Sequence, residues 1–221
     1  MNILDSITIG NTENRCVVSF YHGDLTAIRP EESVDLLVVS AFPDDYWPTN
    51  RSLVGALDAV GVSVRDLAAN KAIDLRSESS CWLSNVVQES GRKLGFKRIL
   101  CFERSLRYSE KGTSVSDIFK SIFRLRSEGY NISSLAMPII ASGDQGMDAA
   151  EMIVNMLNAI LEWLGRIPEL REIRIVEMYA PKAIETSKMF SVIKNEIDCN
   201  RIPISIDWTK YHIPTDFRSS R

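Results

Sequence analysis

Short apolar runs alternate with longer amphipathic stretches along the chain, and this order predicts strands separated by helices. The clearest strand is residues 34–39, Val-Asp-Leu-Leu-Val-Val, which is almost continuously apolar, as a strand covered on both faces must be. Similar runs predict strands at residues 16–21, 97–102, 134–140 and 173–178. The alternation predicts an α/β fold, namely a three-layer α/β/α sandwich with a central mixed, mostly parallel sheet.

Helices are predicted where apolar positions recur every three to four residues. Residues 51–69 read as one helix, although two internal glycines weaken it. Residues 148–164 carry the best-defined helix, which Asp148 can cap. A further helix is predicted at residues 184–197, and residues 202–207 could add a short edge strand.

Length and composition are those of one ordinary globular domain. The chain has 221 residues, of which 45% are hydrophobic and 25% are charged. Neither a repeat nor a linker rich in proline, glycine and serine divides it, so we expect a single domain spanning residues 1–221. Its core is expected at about residues 15–200, with loose N- and C-terminal ends.

Charge and cysteine usage restrict the classes of partner. The 26 lysines and arginines against 29 acidic residues give a net charge of −3, which argues against binding nucleic acid. The apolar runs are too short to cross a membrane and the N-terminus lacks a signal-peptide pattern, so we expect a cytoplasmic protein without a membrane partner. The four cysteines are scattered and only two histidines are present, so we expect buried free thiols, no metal site and no cofactor.

Two loops that follow predicted strands are candidates for binding a ligand. The stronger is Ser142-Gly-Asp-Gln-Gly146, because paired glycines allow φ > 0 and close backbone approach, and a helix N-terminus that suits phosphate follows. The alternative is a tight turn that binds no phosphate and needs its glycines only for the backbone conformation. The other loop, residues 40–49, carries Asp44 and Asp45, which are more typical of a solvated turn than of a catalytic pair.

Isolated polar residues give weaker signals. Asp24, at the end of the first predicted strand, could accept hydrogen bonds from a base or sugar, or equally cap the turn that contains Thr26. His22 and His212 lie far apart in the sequence and no nucleophile motif accompanies them, so no catalytic residue is assigned. Lys182 is expected to be a solvated surface residue.

Three segments, in this order, resemble the macro domain family, an ADP-ribose-binding α/β/α fold. Residues 21–26, Tyr-His-Gly-Asp-Leu-Thr, are similar to the family's G-D-I-T. Residues 34–42, Val-Asp-Leu-Leu-Val-Val-Ser-Ala-Phe, are similar to V-D-A-I-V-N-A-A-N. Residues 135–146, Leu-Ala-Met-Pro-Ile-Ile-Ala-Ser-Gly-Asp-Gln-Gly, are similar to I-A-F-P-A-I-S-T-G-x-x-G, and the whole match spans about residues 15–200.

The resemblance implies a set of ligand-binding residues. Asp24 would accept a hydrogen bond from the adenine amino group, the amide of Leu25 would lie near the ring, and Tyr179 could border the adenine. Backbone amides of the loop between Ser142 and Gly146 would hold the diphosphate. The full implied set is Asp24, Leu25, Ala41, Phe42, Ser142, Gly143, Asp144, Gln145, Gly146 and Tyr179.

The chain departs from the family pattern around the distal ribose. Val39 and Phe42 replace the two asparagines of V-N-A-A-N, so we expect hydrolysis of ADP-ribosylated protein to be absent or very slow. Asp144 and Gln145 replace residues that are usually apolar and aromatic. Because a carboxylate repels a diphosphate, we expect a changed ligand, for example a derivative with a cationic substituent.

Three functions stay open on this basis. The first is a sensor or reader that binds an ADP-ribose-type, NAD-derived nucleotide. The second is an enzyme that removes ADP-ribose from protein or phosphate from ADP-ribose. The third is a degenerate macro-like fold used for protein interaction, with Phe42, Tyr46 and Trp47 as an exposed apolar patch.

Overall fold

The computed structural model describes residues 1–10, 14–87, 94–103, 111–143 and 146–198, without the side chains of 111–114 and 198. The strands in these ranges are β1 (Asn2–Ile9), β2 (Cys16–His22), β3 (Val34–Ala41), β4 (Lys71–Asp74), β5 (Cys81–Ser84), β6 (Phe96–Glu103), β7 (Ser134–Pro138) and β8 (Glu172–Glu177). The helices are α1 (Leu53–Ala59), α2 (Val64–Ala69), α3 (Arg76–Ser79), α4 (Lys111–Ser127), α5 (Ala149–Leu164) and α6 (Ala180–Asp198). None of these described helices combines the length and the apolar composition needed to cross a membrane.

One mixed sheet contains the described strands, in the order β1-β2-β8-β7-β3-β6-β5-β4. Strands β2, β8, β7, β3 and β6 run parallel to one another, and antiparallel pairs extend both edges. Helices α4, α5 and α6 cover one face of the sheet, and α1 and α2 cover the other. The predicted three-layer α/β/α sandwich with a mostly parallel sheet is therefore confirmed.

Strand β3 shows how an unbroken apolar run becomes the centre of the sheet. Side chains alternate between the two faces of a strand. Leu36 and Val38 accordingly belong to the cluster beneath α4, α5 and α6, whereas Leu37 and Val39 belong to the cluster beneath α1 and α2. Both faces of β3 are buried, which is why its sequence shows no polar alternation.

The N-terminal end is not loose, because residues Asn2–Ile9 form an edge strand antiparallel to β2. Half of its residues are exposed, and Ile7 is its buried side chain. An edge strand that buries so little has almost no hydrophobic pattern, so the sequence did not reveal it. Strands β4 and β5 were missed for a different reason, because four residues are too few to show a periodic pattern.

The predicted helix at residues 51–69 is two helices. Gly61 takes a φ of 86°, a left-handed conformation that ends α1 and turns the chain. Ser63 then begins α2, with its side chain accepting a hydrogen bond from the N–H of Asp66. The predicted edge strand at 202–207 lies outside the described residues.

Three cysteines are buried free thiols, as expected from their scattered positions: Cys16, Cys81 and Cys101. Burial raises the pKa of the Cys16 thiol to about 12. Cys199 lies outside the described residues.

Asp35 fastens β3 to the start of β7. Its Oδ2 accepts hydrogen bonds from the backbone N–H groups of Ser133 (2.9 Å) and Ser134 (3.1 Å), and the Nζ of Lys97 lies 2.6 Å from its Oδ1. Burial opposes ionisation of Asp35, but the hydrogen bonds from Lys97 and Ser133 together outweigh burial and lower its pKa to about 2. The ionised carboxylate thus stabilises the folded state.

We expect Asp35 to make stability fall in acid. Its folded-state pKa of about 2 lies below the ordinary value of 3.8, so its contribution is complete above pH 3.8 and disappears as the pH falls through 2. Urea unfolding between about pH 5 and pH 2 should show wild type losing about 2 kcal/mol more than Asp35→Asn. The control Asp58→Asn, at an exposed position on α1, should keep the wild-type pH dependence. Equal curves for wild type and Asp35→Asn would contradict the assignment.

Candidate functional site

A cleft of about 520 Å³ opens at the carboxyl ends of β2, β3, β7 and β8. Carboxyl ends of parallel strands meet at one edge of a sheet, where ligands of α/β folds bind. The predicted residues that line the cleft are Asp24, Leu25, Ala41, Phe42, Ser142, Gly143 and Tyr179. Gly146 is described but does not line the cleft, and Asp144 and Gln145 lie outside the described residues.

Asp24 caps its own turn with one carboxylate oxygen. Its Oδ1 accepts from the backbone N–H and the hydroxyl of Thr26, both at 2.8 Å, and so begins a 3₁₀ turn, Leu25–Ala27. Among the described residues, Oδ2 has no hydrogen-bond donor, and Asp24 lines the cleft. The capping role left open by the sequence is therefore real, and the second oxygen is available to a ligand.

The loop after β7 is held by its own backbone. The N–H of Gly146 donates to the carbonyl of Gly143 (2.9 Å), and the N–H of Met147 donates to the carbonyl of Ala141 (3.0 Å). Ser142 donates to the carbonyl of Ile139 through its N–H (3.3 Å) and its hydroxyl (2.8 Å). Within the described part of this loop, the N–H of Gly143 has no backbone acceptor. This amide can therefore donate to a ligand.

Gly143 does not use the positive φ that the sequence suggested. Positive φ values occur on either side of it, at Ala141 (61°) and Gly146 (66°). A Cβ on Gly143 would lie 3.8 Å from the carbonyl oxygen of Arg51, which is an ordinary contact. The expected φ > 0 at Gly143 is wrong, and the proximity of Arg51 shows that the loops after β3 and β7 form facing walls of the cleft.

A buried ion pair supports the loop after β7. Glu177 ends β8 with only 6% of its surface exposed, and its Oε2 lies 3.1 Å from the Nζ of Lys182 on α6. The same Nζ donates to the carbonyl and the hydroxyl of Ser142, both at 3.0 Å. The N–H of Tyr179 donates to the Oε1 of Glu177 (3.0 Å). These contacts link β8, α6 and the loop after β7.

Lys182 is therefore not the solvated surface lysine that the sequence suggested, because it lines the cleft and is ion-paired. Sequence reasoning also missed Glu177. One signal was available: Glu177 follows Ile175 and Val176 at the end of a buried strand, and a carboxylate is costly to bury without a cationic partner, so a nearby lysine could have been expected.

Of the comparisons with known proteins, the one with solved structures found similar proteins. No protein-family model and no curated protein matches the chain. The Oceanobacillus iheyensis macrodomain with ADP superimposes with a TM-score of 0.62 at 14% identity, over 87% of this chain and 98% of that chain. The Trypanosoma brucei macrodomain in complex with ADP-ribose gives 0.57 at 16% identity, over 79% and 68%. The chain has the macrodomain fold.

A buried glutamate, Glu103, anchors the loop after β3. Glu103 is 4% exposed, and its Oε1 accepts from the Nε1 of Trp82 (2.7 Å) and the hydroxyl of Tyr46. Its Oε2 accepts from the N–H of Asp44 (3.3 Å) and lies 3.5 Å from Arg76 Nη1. Burial and the bond to Glu103 raise the pKa of Tyr46. Tyr46 is half-buried, so it does not belong to the exposed apolar patch that was expected to include it together with Phe42 and Trp47.

The anchored loop presents two aromatic side chains. The N–H of Asp45 donates to the carbonyl of Phe42 (3.0 Å) and closes a tight turn. Phe42 is 40% exposed and Trp47 is 64% exposed, and both line the macrodomain cleft. The guanidinium carbon of Arg65 lies 5.1 Å from the centre of the Trp47 ring, an arrangement typical of a cation–π contact. We call Phe42 and Trp47 the aromatic rim.

Proposed function

We propose that this cleft binds an ADP-ribose-type, NAD-derived nucleotide and that the protein acts as a reader or sensor of it. One observation carries the proposal: the three segments that resemble the macro domain family supply three walls of a single cleft, in a chain with the macrodomain fold. Two solved macrodomains that share the fold hold ADP and ADP-ribose, respectively. A cytoplasmic location belongs to the same proposal.

Each part of such a ligand would meet a group of matching chemistry. The free Oδ2 of Asp24 would accept from the adenine amino group, and exposed Tyr179 would border the ring. The N–H of Gly143 would donate to the diphosphate, with the positive end of the α5 dipole close by in sequence.

A reader role is favoured over hydrolysis by the residue at position 42. The resemblance puts a ribose-orienting asparagine there, and Phe42 can neither donate nor accept a hydrogen bond. Precise orientation of the reacting groups accounts for a large part of enzymatic rate enhancement. The cleft therefore supports binding better than turnover.

Asp24→Asn is the sharpest test of the adenine contact. The amide oxygen can still cap Thr26, while the amide NH₂ in place of Oδ2 would face the adenine amino group donor to donor. We expect affinity for ADP-ribose, measured by calorimetry, to fall by about 1.5 to 3 kcal/mol, the range for a hydrogen bond with a charged partner. Asp24→Ala should lose the same affinity and some stability as well, because it removes the cap.

Asp66→Asn provides the matched control, since Asp66 is exposed on α2 and does not line the cleft. It should bind ADP-ribose as wild type does. ADP-ribose should also raise the melting temperature of wild type, because a ligand of the folded state stabilises it. Wild-type protein that shows neither heat of binding nor thermal stabilisation would overturn the proposed function.

A further inference from the structure

We propose that the distal end of the cleft accepts a flat aromatic ring carried by the distal ribose, so that the ligand is an ADP-ribosyl compound with an aromatic substituent. This inference rests on the proposed function and specifies the ligand of the same site. The aromatic rim, Phe42 and Trp47, is the feature that would hold the ring.

The aromatic rim leaves two large apolar side chains exposed at the cleft. Phe42 and Trp47 both line the cleft and both keep a large part of their surface exposed. Aromatic faces stack favourably on other flat rings. A sugar hydroxyl, by contrast, needs a hydrogen-bonding partner, and Phe42 offers none.

The turn that carries the rim is held rigidly from behind. Glu103 accepts from the N–H of Asp44, and Arg76 pairs with Asp44 (2.6 Å) and with Asp74 (2.7 Å) on β4. The hydrogen bond to Asp74, with the bond to Asp44 and the charge of Glu103, raises the pKa of Arg76. A binding surface fixed before the ligand arrives loses little entropy on binding.

Trp47 has two further contacts. The guanidinium carbon of Arg65 lies 5.1 Å from the ring centre, and the backbone N–H of Trp47 donates to the Oδ1 of Asp45 (3.1 Å). Trp47 lines the cleft and is still 64% exposed. The rim therefore combines a backbone held by hydrogen bonds with aromatic side chains that are largely open to a ligand.

Two polar groups near the rim already have partners. The hydroxyl of Ser52 accepts from the N–H of Gly55 (3.0 Å) and donates to the carbonyl of Thr49 (3.1 Å), so it caps α1. One oxygen of Asp45 accepts from the backbone N–H of Trp47. These two groups are therefore less available to ribose hydroxyls than unpartnered side chains would be.

The test compares two probes by calorimetry: ADP-ribose, and NAD⁺, whose distal ribose carries a nicotinamide ring. Wild type should bind NAD⁺ roughly tenfold more tightly than ADP-ribose, as two aromatic contacts allow. Phe42→Leu, which keeps apolar volume but removes the ring, and Trp47→Ala should each reduce this preference several-fold, where the preference is the ratio of the two affinities measured on the same variant.

Phe123→Ala is the matched control, because Phe123 is an exposed aromatic residue on α4 that does not line the cleft. It should keep the wild-type preference. If ADP-ribose binds and NAD⁺ binds no tighter, or if both rim variants keep the preference, this inference is overturned and the proposed function stands. If neither probe binds, the proposed function fails and the inference falls with it.

Discussion

Replacing Glu103 with alanine should lower the free energy of unfolding by about 2 to 6 kcal/mol, because two donors lose their acceptor and each buried polar group left without a partner costs about 1 to 3 kcal/mol. The substitution leaves the indole N–H of Trp82 and the hydroxyl of Tyr46 without their acceptor. It also removes one of the carboxylates around Arg76. Urea unfolding followed by far-UV circular dichroism measures the loss.

Glu78→Ala is the control, because Glu78 is an exposed acid whose carboxylate lies 3.7 Å from Arg124. A surface pair of this kind contributes at most about 1 kcal/mol. Glu103→Gln should fall between the two, since the amide oxygen can still accept from Trp82 but carries no charge for Arg76. A Glu103→Ala variant as stable as Glu78→Ala would show that Glu103 does not anchor the loop.

Gly55→Ala should destabilise the protein by more than about 3 kcal/mol or displace the loop after β3, beyond the usual cost of overpacking. A Cβ on Gly55 would lie 1.9 Å from the carbonyl oxygen of Thr49 and 2.8 Å from its carbonyl carbon. The clash is with backbone, and the Thr49 carbonyl already accepts from the N–H of Ser52 (3.2 Å). Helix propensity alone predicts that Gly55→Ala stabilises the protein, because alanine is favoured over glycine in a helix by about 1 kcal/mol.

Gly165→Ala makes the same chemical change where space is open. Gly165 has a φ of −64° at the end of α5, and a Cβ there meets nothing within 4 Å. This variant should be as stable as wild type or up to about 1 kcal/mol more stable. Thermal unfolding of both variants measures the loss of stability, and their ADP-ribose binding shows whether the loop after β3 is displaced. Gly55→Ala with wild-type stability and wild-type binding would contradict the close packing of Thr49 on α1.

The sequence predicted those residues of the candidate site whose position is set by the strand just before them. Asp24 and Ser142 lie within four residues of the ends of β2 and β7, so their place at one edge of a parallel sheet could be deduced from strand order. The set of ligand-binding residues stays a prediction. Phe42 was singled out by comparison with a family pattern, but its exposure on an anchored turn was not foreseeable from neighbouring residues.

The features that sequence reasoning missed depend on residues distant in the chain. Lys182 pairs with Glu177 five positions away, yet its bonds to Ser142 span 40 positions. Glu103 meets Tyr46 across 57 positions. No periodicity encodes such contacts, because they arise only when the sheet sets the strand ends side by side.

Apolar periodicity by itself determined the fold class and the buried central strands. Each segment's pattern shows which of its faces must be buried, and few architectures bury the faces of alternating strands and helices. Only the tertiary structure decided which strands lie at the edges, where the helix at residues 51–69 breaks, and which glycine tolerates a side chain. It also decided that Lys182 is a partly buried partner of Glu177 and that Tyr46 is half-buried against Glu103. These outcomes depend on how segments that are distant in the sequence pack against each other. The distances and steric limits between such segments cannot be read from any local stretch of sequence.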